Sequence, residues 1–315
     1  MGVGNADVIL ITDLSGSMDW RLDSDETGIE RNCDDPLLYD SSTKRISLAK
    51  CLDKKFVDIV LNASNNRVGL VGYSGKPNTI PTPNCNIIRS YHNLSTDNTS
   101  LKSQIEEYTP DGATGICGAI RQARIMLQQE SNSSRQQFIV VMTDGLANVQ
   151  CDPVNENQTT GCIPKICPGS SWLCVIWPWF CDDDYCYSVP GCVHQECGDW
   201  VGIRAGNDAV EDACRAHNYT NVTVYSIGFG PVSGCGLANQ TLNDIANCGN
   251  GSYYSGTNAT QLEEIYSRIA EEIVNVSYRA QTVELKNPSM DNVLYPDSYI
   301  ELNYCLLYTS PSPRD

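Results

Sequence analysis

Short apolar runs alternate with amphipathic stretches along most of the chain. Runs rich in β-branched residues predict buried strands at residues 8–11, 68–73, 138–142 and 222–227, with a further apolar segment at residues 87–91. Apolar residues recurring at helical spacing predict helices over residues 46–60, 116–127, 201–216 and 262–273. Thr260 and Glu263 predict a capping box at the head of the last helix. This alternation indicates an α/β fold, with a doubly wound, mainly parallel sheet covered by helices on both faces.

Two segments interrupt this alternation. Residues 19–44 are acidic and loop-like, and residues 147–200 hold a dense group of cysteines. Neither has the period of a helix or a strand, so we expect them to be insertions in one large domain at residues 1–276. Short β-like pieces around Pro288 and Pro296 then predict the beginning of a second, truncated β-rich domain at residues 277–304.

Both ends of the chain have the character of a fragment. The last eleven residues, CLLYTSPSPRD at positions 305–315, resemble a translated sequencing adapter, and a genuine Ser/Pro-rich tail is the alternative. The residues before Asp7 are too few and too polar for a signal peptide. The apolar run at residues 172–180 is about half of the length that spans a bilayer. We therefore expect any export signal or membrane anchor to lie only in sequence missing from this chain.

The charge of the chain excludes one class of partner. Its formal net charge is −17 and its pI is near 4.5. A protein that binds nucleic acid needs a basic surface to neutralise phosphates, so no nucleic-acid partner is expected. An acidic surface suits a protein that concentrates cations, although it more often serves solubility.

The cysteines and the glycosylation sequons indicate an extracellular protein. The chain has sixteen cysteines and lacks Cys-x-x-Cys pairs, a pattern that favours disulfides over zinc. Zinc bound by Cys192, His194 and Cys197 stays open as an alternative. Eleven Asn-x-Ser/Thr sequons exceed the number that chance would give, and they predict a glycosylated surface. They begin at Asn62, Asn93, Asn98, Asn132, Asn157, Asn218, Asn221, Asn239, Asn250, Asn258 and Asn275.

Side chains with oxygen atoms follow the predicted strands in three places. Asp13, Ser15 and Ser17 come directly after the first strand, Asp144 follows the strand at residues 138–142, and Thr114 precedes a helix. In a parallel α/β sheet these loops share one edge, so the five side chains can converge. All five offer oxygen ligands, which hard ions such as Mg²⁺ prefer. The sequence therefore predicts a divalent-metal site at this edge.

The Asp-x-Ser-x-Ser motif by itself is weak, because an isolated motif of this kind is more often a turn with helix-capping hydroxyls. Its position after a buried strand, together with Thr114 and Asp144 in the right order, is far more specific. With these residues the chain resembles the von Willebrand factor type A family, which has a metal-ion-dependent adhesion site. The resemblance covers residues 7–275, apart from the two insertions. It implies a Rossmann-like fold.

The resemblance also implies a role for each ligand. Ser15, Ser17 and Thr114 would supply hydroxyl ligands, while Asp13 and Asp144 would bind directly or through water to Mg²⁺, or to Ca²⁺ or Mn²⁺. If the carboxylates lie partly outside the direct coordination shell, the ion stays electron-poor and seeks an anionic oxygen. A carboxylate on a protein or glycan partner would complete the octahedron, as in the family's adhesion mechanism.

These features predict binding rather than catalysis. Hydrolysis would need a placed general base, and the only histidines are His92, His194 and His217. We expect a non-enzymatic adhesion or ligand-binding protein that is extracellular or on the cell surface. Two alternatives stay open: a non-catalytic accessory domain of a larger surface enzyme, and a structural component of the cell envelope.

Both insertions lie near the predicted metal in sequence. Four aromatic residues of the cysteine-rich block suit either a partner interface or the insertion's own small core: Trp172, Trp177, Trp179 and Phe180. The acidic residues of the first insertion are expected to be a solvated face, with a second cation site or an internal carboxylate covering the metal as the sharper hypothesis. They are Asp19, Asp23, Asp25, Glu26, Asp34 and Asp35.

Overall fold

The computed structural model describes residues 5–63, 65–75, 87–151, 162–163, 198–230 and 234–279. Its strands are β1 (Ala6–Asp13), β2 (Arg67–Tyr73), β3 (Ile88–Ser95), β4 (Gln136–Thr143), β5 (Gln150–Cys151), β6 (Cys162–Ile163), β7 (Thr223–Phe229) and β8 (Tyr253–Gly256). Six of them form one sheet in the order β3-β2-β1-β4-β7-β8. Every neighbouring pair in this sheet is parallel except β2 with β3, which is antiparallel.

The central strand β1 explains why the sheet needs helices on both faces. All eight of its residues are buried, and successive side chains point to opposite faces. Val8 and Leu10 belong to one hydrophobic core, while Ile9 and Ile11 belong to the other. A strand that is apolar on both faces is stable only when both faces are covered.

Six helices provide that cover. They are α1 (Arg45–Leu61), α2 (Asn98–Glu106), α3 (Ile116–Glu130), α4 (Gly198–Thr220), α5 (Gly236–Cys248) and α6 (Ala259–Arg279). Apolar residues of α1, α2 and α6 share a core on one face of the sheet, and those of α3, α4 and α5 share the core on the other. The predicted doubly wound α/β fold is therefore confirmed. In the described ranges no helix is both long enough and apolar enough to cross a bilayer.

Three disulfides link the described parts of the chain. Cys33–Cys51 joins the first insertion to α1, and Cys117–Cys151 joins α3 to the beginning of the cysteine-rich insertion. Cys214–Cys248 joins α4 to α5. These six cysteines bear out the preference for disulfides. The aromatic block at 172–180 and the zinc alternative at Cys192, His194 and Cys197 lie outside the described residues.

The structure corrects the predicted start of the last helix. Asn258, rather than Thr260, caps α6: its side-chain oxygen accepts the backbone N–H of Gln261 at 2.9 Å. Gln261 reaches back to accept the backbone N–H of Thr257 at 3.0 Å. Glu263 instead pairs with Lys55. The helix thus begins at Ala259, before Thr260, because the Asn258 side chain accepts one of its free N–H groups.

Other differences concern element boundaries. Helices α2 and α5 and strand β8 were not predicted, and α4 and α6 are longer than their apolar periodicity indicated. Since α6 continues to Arg279, the first three residues of the segment 277–304 are helical rather than β-like. The rest of that segment, and residues 305–315, lie outside the described ranges.

Candidate metal centre

The loop after β1 brings two hydroxyls together. At its start, the Ser15 backbone N–H donates to the Asp13 carboxylate at 2.7 Å, which turns the chain sharply at the end of the strand. The Gly16 N–H then donates to the Gly112 carbonyl at 2.8 Å. A single 3-10 turn, Gly16–Asp19, follows. As a result the Ser15 and Ser17 hydroxyl oxygens lie 3.0 Å apart.

The end of β4 meets this loop from the neighbouring strand. The Ser17 hydroxyl donates to Asp144 Oδ1 at 2.8 Å. One residue earlier, the Thr143 hydroxyl donates to Asp13 Oδ2 at 2.6 Å. The two carboxylates and two serine hydroxyls therefore form one hydrogen-bonded cluster, as the parallel pairing of β1 with β4 requires.

Thr114 enters the cluster from the loop before α3. That loop is fixed to the end of β1 because the Asp111 N–H donates to the Leu14 carbonyl at 2.8 Å. It turns at Gly112, whose φ of +91° and close contact with the Gly75 backbone exclude a side chain. A Cβ added to Gly145 would lie 3.7 Å from the Thr114 hydroxyl and 4.0 Å from that of Ser17. Both hydroxyls thus line the same space above Gly145.

The charge balance in this cluster is uneven. Burial, together with the neighbouring Asp144 carboxylate, raises the pKa of Asp13 from 3.8 to about 7, even though hydrogen bonds from Thr143 and Ser15 lower it. Asp13 itself is fully buried, and its contacts are hydroxyls and a backbone N–H. Two nearby carboxylates in a buried site repel each other unless a cation lies between them.

Residues 8–146 match the family model of the von Willebrand factor type A domain, and the match includes all five clustered residues. Over these residues the chain is similar to von Willebrand factor type A domains. No curated protein sequence matches the chain.

Three of the solved structures that share this fold are of bacterial pilus proteins. The PilB minor pilin from Streptococcus sanguinis is 20% identical with a TM-score of 0.59, and the alignment covers 90% of this chain and 64% of the pilin. The pilus adhesin SpaC from Lactobacillus rhamnosus GG, in an open conformation, is 15% identical with a TM-score of 0.54, and the alignment covers 88% of this chain and 31% of SpaC. The vWF domain of the type V pili tip protein Mfa5 from Porphyromonas gingivalis is 17% identical with a TM-score of 0.51. The alignment covers 88% of this chain and 97% of the Mfa5 domain. This chain thus spans less than two thirds of the PilB pilin.

The donor set of this site fits a small hard cation. Adjacent ligands of an octahedral Mg²⁺ at about 2.1 Å lie about 3 Å apart. The Ser15–Ser17 and Ser17–Asp144 oxygen distances, 3.0 and 2.8 Å, have this spacing. In the described ranges, no group of three or more His, Cys, Asp or Glu side chains is arranged to hold a metal, and this site too has only two carboxylates. The candidate site is distinctive because three of its five oxygens are hydroxyls.

Arg45, the first residue of α1, also lies at this site, although it was not among the predicted site residues. Its guanidinium is fully buried and donates to Asp144 Oδ2 at 2.9 Å. A sequence signal was present: a cation at the first position of a helix opposes the helix dipole and needs nearby anions or carbonyls. Lys44 and Arg45 stand at that helix start without an acidic residue in the first turn.

The acidic residues of the first insertion pair with basic side chains. Four of the six predicted residues form ion pairs: Asp19 with Lys44, Asp25 with Arg45, Glu26 with Arg21, and Asp35 with Arg31. These partners account for most of the acidic loop without a second cation. Among them, the Asp25 carboxylate lies 3.5 Å from Arg45, the residue that also pairs with Asp144.

The two described histidines lie outside the site. His92 on β3 pairs with the Ser100 hydroxyl at 2.6 Å, and His217 near the end of α4 pairs with the Val222 carbonyl at 3.0 Å. Each ring therefore has a local structural partner. His194 lies outside the described residues.

Proposed function

We propose that this protein binds a macromolecular partner through a divalent ion, Mg²⁺ or else Ca²⁺ or Mn²⁺, held at the end of the sheet. The ion contributes a Lewis-acidic position. Ser15, Ser17 and Thr114 supply neutral hydroxyl ligands, and Asp13 and Asp144 act directly or through water. A carboxylate of a protein or glycan partner fills the remaining position. The role is adhesion or ligand binding, not catalysis.

One observation carries this proposal: three loops bring three hydroxyls and two carboxylates to one place, and Asp13 is buried there beside a second carboxylate. Arg45 compensates the Asp144 carboxylate, but the printed donors to Asp13 are neutral, so a buried Asp13 charge is costly unless a further cation compensates it. Hydroxyl ligands add no negative charge, so a bound divalent ion keeps its attraction for an outside anion. The described histidines, which face other parts of the fold, leave binding as the better-supported role.

Location and partner class follow from the same features. The similar folds occur in a minor pilin, a pilus tip protein and a pilus adhesin, all of them pilus components. The three described disulfides suit an oxidising compartment. We therefore place the protein outside the cytoplasm, on a cell surface or secreted, with a protein or glycan ligand as its partner.

The test measures metal binding and carboxylate binding separately. Isothermal titration with Mg²⁺ should give one site in the chelator-treated wild type and none in Asp13→Ala. Asp53→Asn, which removes a buried carboxylate elsewhere in the fold, should bind Mg²⁺ like the wild type. Beads coated with poly-glutamate should capture the wild type in Mg²⁺ but not in chelator, despite the protein's net charge of −17. Equal capture in Mg²⁺ and in chelator, or unchanged Mg²⁺ binding in Asp13→Ala, would refute the proposal.

A further inference from the structure

Arg45 engages the oxygen of Asp144 that the serines leave free. Asp144 Oδ1 accepts the Ser17 hydroxyl, and Oδ2 accepts the Arg45 Nη1–H at 2.9 Å. Both side chains of this ion pair are fully buried. A carboxylate with donors on both oxygens is held in one orientation, and part of its negative charge is neutralised by the arginine.

The first insertion encloses this guanidinium. Arg45 Nε donates to the Arg21 carbonyl at 2.9 Å, and Nη2 donates to the Ser24 carbonyl at 3.0 Å. Nη1 lies 3.4 Å from the Ser17 carbonyl, and the Trp20 ring lies 5.5 Å from the guanidinium carbon. These contacts come from three sides, so the guanidinium cannot swing away from Asp144 without the insertion moving too.

The arginine changes the charge of the candidate metal centre. A divalent ion together with Asp13 and Asp144 would be neutral overall. The Arg45 guanidinium adds one positive charge to this set. Its other carboxylate partner, Asp25, has an exposed side chain that water screens, so Asp25 offsets this charge only in part. We propose that Arg45 is a positioning residue that holds Asp144 and keeps the loaded site cationic, so that the ion selects an anionic carboxylate from the partner. This inference rests on the proposed function.

A purely structural role for Arg45 makes a different prediction. If the Arg45–Asp144 pair only joins α1 to β4, removing the arginine loosens the site and weakens binding of the metal and of the carboxylate together. If Arg45 sets the charge, its removal strengthens binding of the bare ion and weakens binding of the carboxylate. The two effects then have opposite signs.

The experiment compares Arg45→Gln with Arg45→Lys. Both variants lose the planar fork that reaches the insertion carbonyls, but only Gln loses the charge. Mg²⁺ affinity is measured by isothermal titration. Acetate binding to the Mn²⁺-loaded protein is measured by water-proton relaxation, which falls when acetate displaces coordinated water. We expect Arg45→Gln to bind Mg²⁺ roughly tenfold more tightly and acetate roughly tenfold more weakly, because the removed positive charge repels the ion and attracts acetate. Arg45→Lys should stay near the wild type in both.

Arg121→Gln is the matched control for burying an arginine. Arg121 is also buried, but it pairs with Asp212 between α3 and α4, away from the cluster. Its loss should lower stability without changing the affinity for Mg²⁺ or for acetate.

A second pair of variants covers the case in which Arg45→Gln does not fold. Asp25→Asn removes an exposed carboxylate 3.5 Å from Arg45. It should lower the affinity for Mg²⁺ and raise the affinity for acetate, each about twofold. Glu26→Gln, at the neighbouring position, should leave the affinities for Mg²⁺ and acetate unchanged.

The outcomes separate the two proposals. Opposite shifts in Arg45→Gln, with recovery in Arg45→Lys, support the charge role. Parallel losses in both variants, or unchanged affinities in Arg45→Gln and Asp25→Asn, overturn it while leaving metal-dependent binding intact. A wild type that takes up neither Mg²⁺ nor Mn²⁺ overturns the proposed function itself.

Discussion

The two ends of β1 each bury an aspartate, and their surroundings differ. At the amino end, Asp7 accepts hydrogen bonds from Arg67 and Arg135 at 2.6–2.8 Å and from the Ser131 hydroxyl. At the carboxyl end, Asp13 accepts from hydroxyls and a backbone N–H, next to a second carboxylate. One strand thus carries a fully compensated carboxylate and an undercompensated one.

This difference separates a structural carboxylate from a candidate ligand. The arginines around Asp7 join β1 to its two neighbouring strands and leave that charge nothing further to bind. Asp13 has comparable burial but only neutral donors, so a cation from solution can improve its environment. Burial alone does not mark the site; burial without a basic partner does.

The largest expected effect on stability comes from removing the Asp7 carboxylate, which pairs with two arginines. Asp7→Ala leaves two arginines facing a buried void, which should lower the free energy of unfolding by about 3 kcal/mol. The loss should be the same in chelator and in Mg²⁺, because Asp7 lies at the opposite end of the strand from the candidate metal centre. Urea denaturation under both conditions measures it. A loss confined to the Mg²⁺-loaded protein would contradict the structural role.

The opposite pattern is expected at the other end. At a Mg²⁺ concentration one hundred times its Kd, the wild type should gain about 2.7 kcal/mol of stability, and Asp13→Asn should gain none. In chelator, Asp13→Asn should be at least as stable as the wild type, since a buried charge facing Asp144 has been removed. Thermal unfolding with and without Mg²⁺ tests both parts. A large loss for Asp13→Asn in chelator would mean that Asp13 is compensated after all.

Asp53 on α1 sharpens the comparison through pH. It is fully buried, the Thr12 hydroxyl donates to it at 2.7 Å, and burial raises its pKa from 3.8 to about 7. A raised pKa in the folded state means that stability falls as pH rises from about 4 to about 7. The contribution should be about 2 kcal/mol between pH 5 and pH 7. Asp53→Asn should reduce the slope of the free energy of unfolding against pH in this range, measured in chelator by urea unfolding. An unchanged slope would contradict the raised pKa of Asp53.

The smallest effect concerns a single hydroxyl. Thr114→Ala should weaken Mg²⁺ binding roughly tenfold, about 1.4 kcal/mol, by removing one ligand while leaving the fold intact. Thr114→Ser keeps the hydroxyl and should restore most of the affinity. Isothermal titration of the pair checks this. Equal affinities in the Ala variant and the wild type would remove Thr114 from the ligand set.

The sequence predicted the frame of the site because strand ends in a parallel sheet share an edge. Apolar runs located β1 and β4, and the oxygen-bearing residues after them had to meet. What the sequence could not show depends on side-chain direction. Arg45 follows a polar segment without periodicity, and only the folded chain reveals that the insertion closes around it. The predicted start of α6 was wrong for a similar reason. Asn258 and Thr260 are both residues that can cap a helix, and only the folded chain shows that Asn258 does so.

Missed elements had weaker patterns. Helix α2 buries only Leu101 and Ile105, too few for a recognisable apolar stripe. Helix α5 buries Leu242 and Ile245 at helical spacing, but the polar residues around them obscured it. The predicted glycosylation and the origin of residues 305–315 stay predictions.

The most direct test locates the ion itself. Crystals of the protein grown with Mn²⁺ would give an anomalous difference peak at the metal position. We predict a single strong peak within coordination distance of the Ser15, Ser17 and Thr114 hydroxyls. A peak elsewhere, or well-ordered hydroxyls at this place without a peak, would contradict the central claim that five side-chain oxygens form a divalent-metal centre.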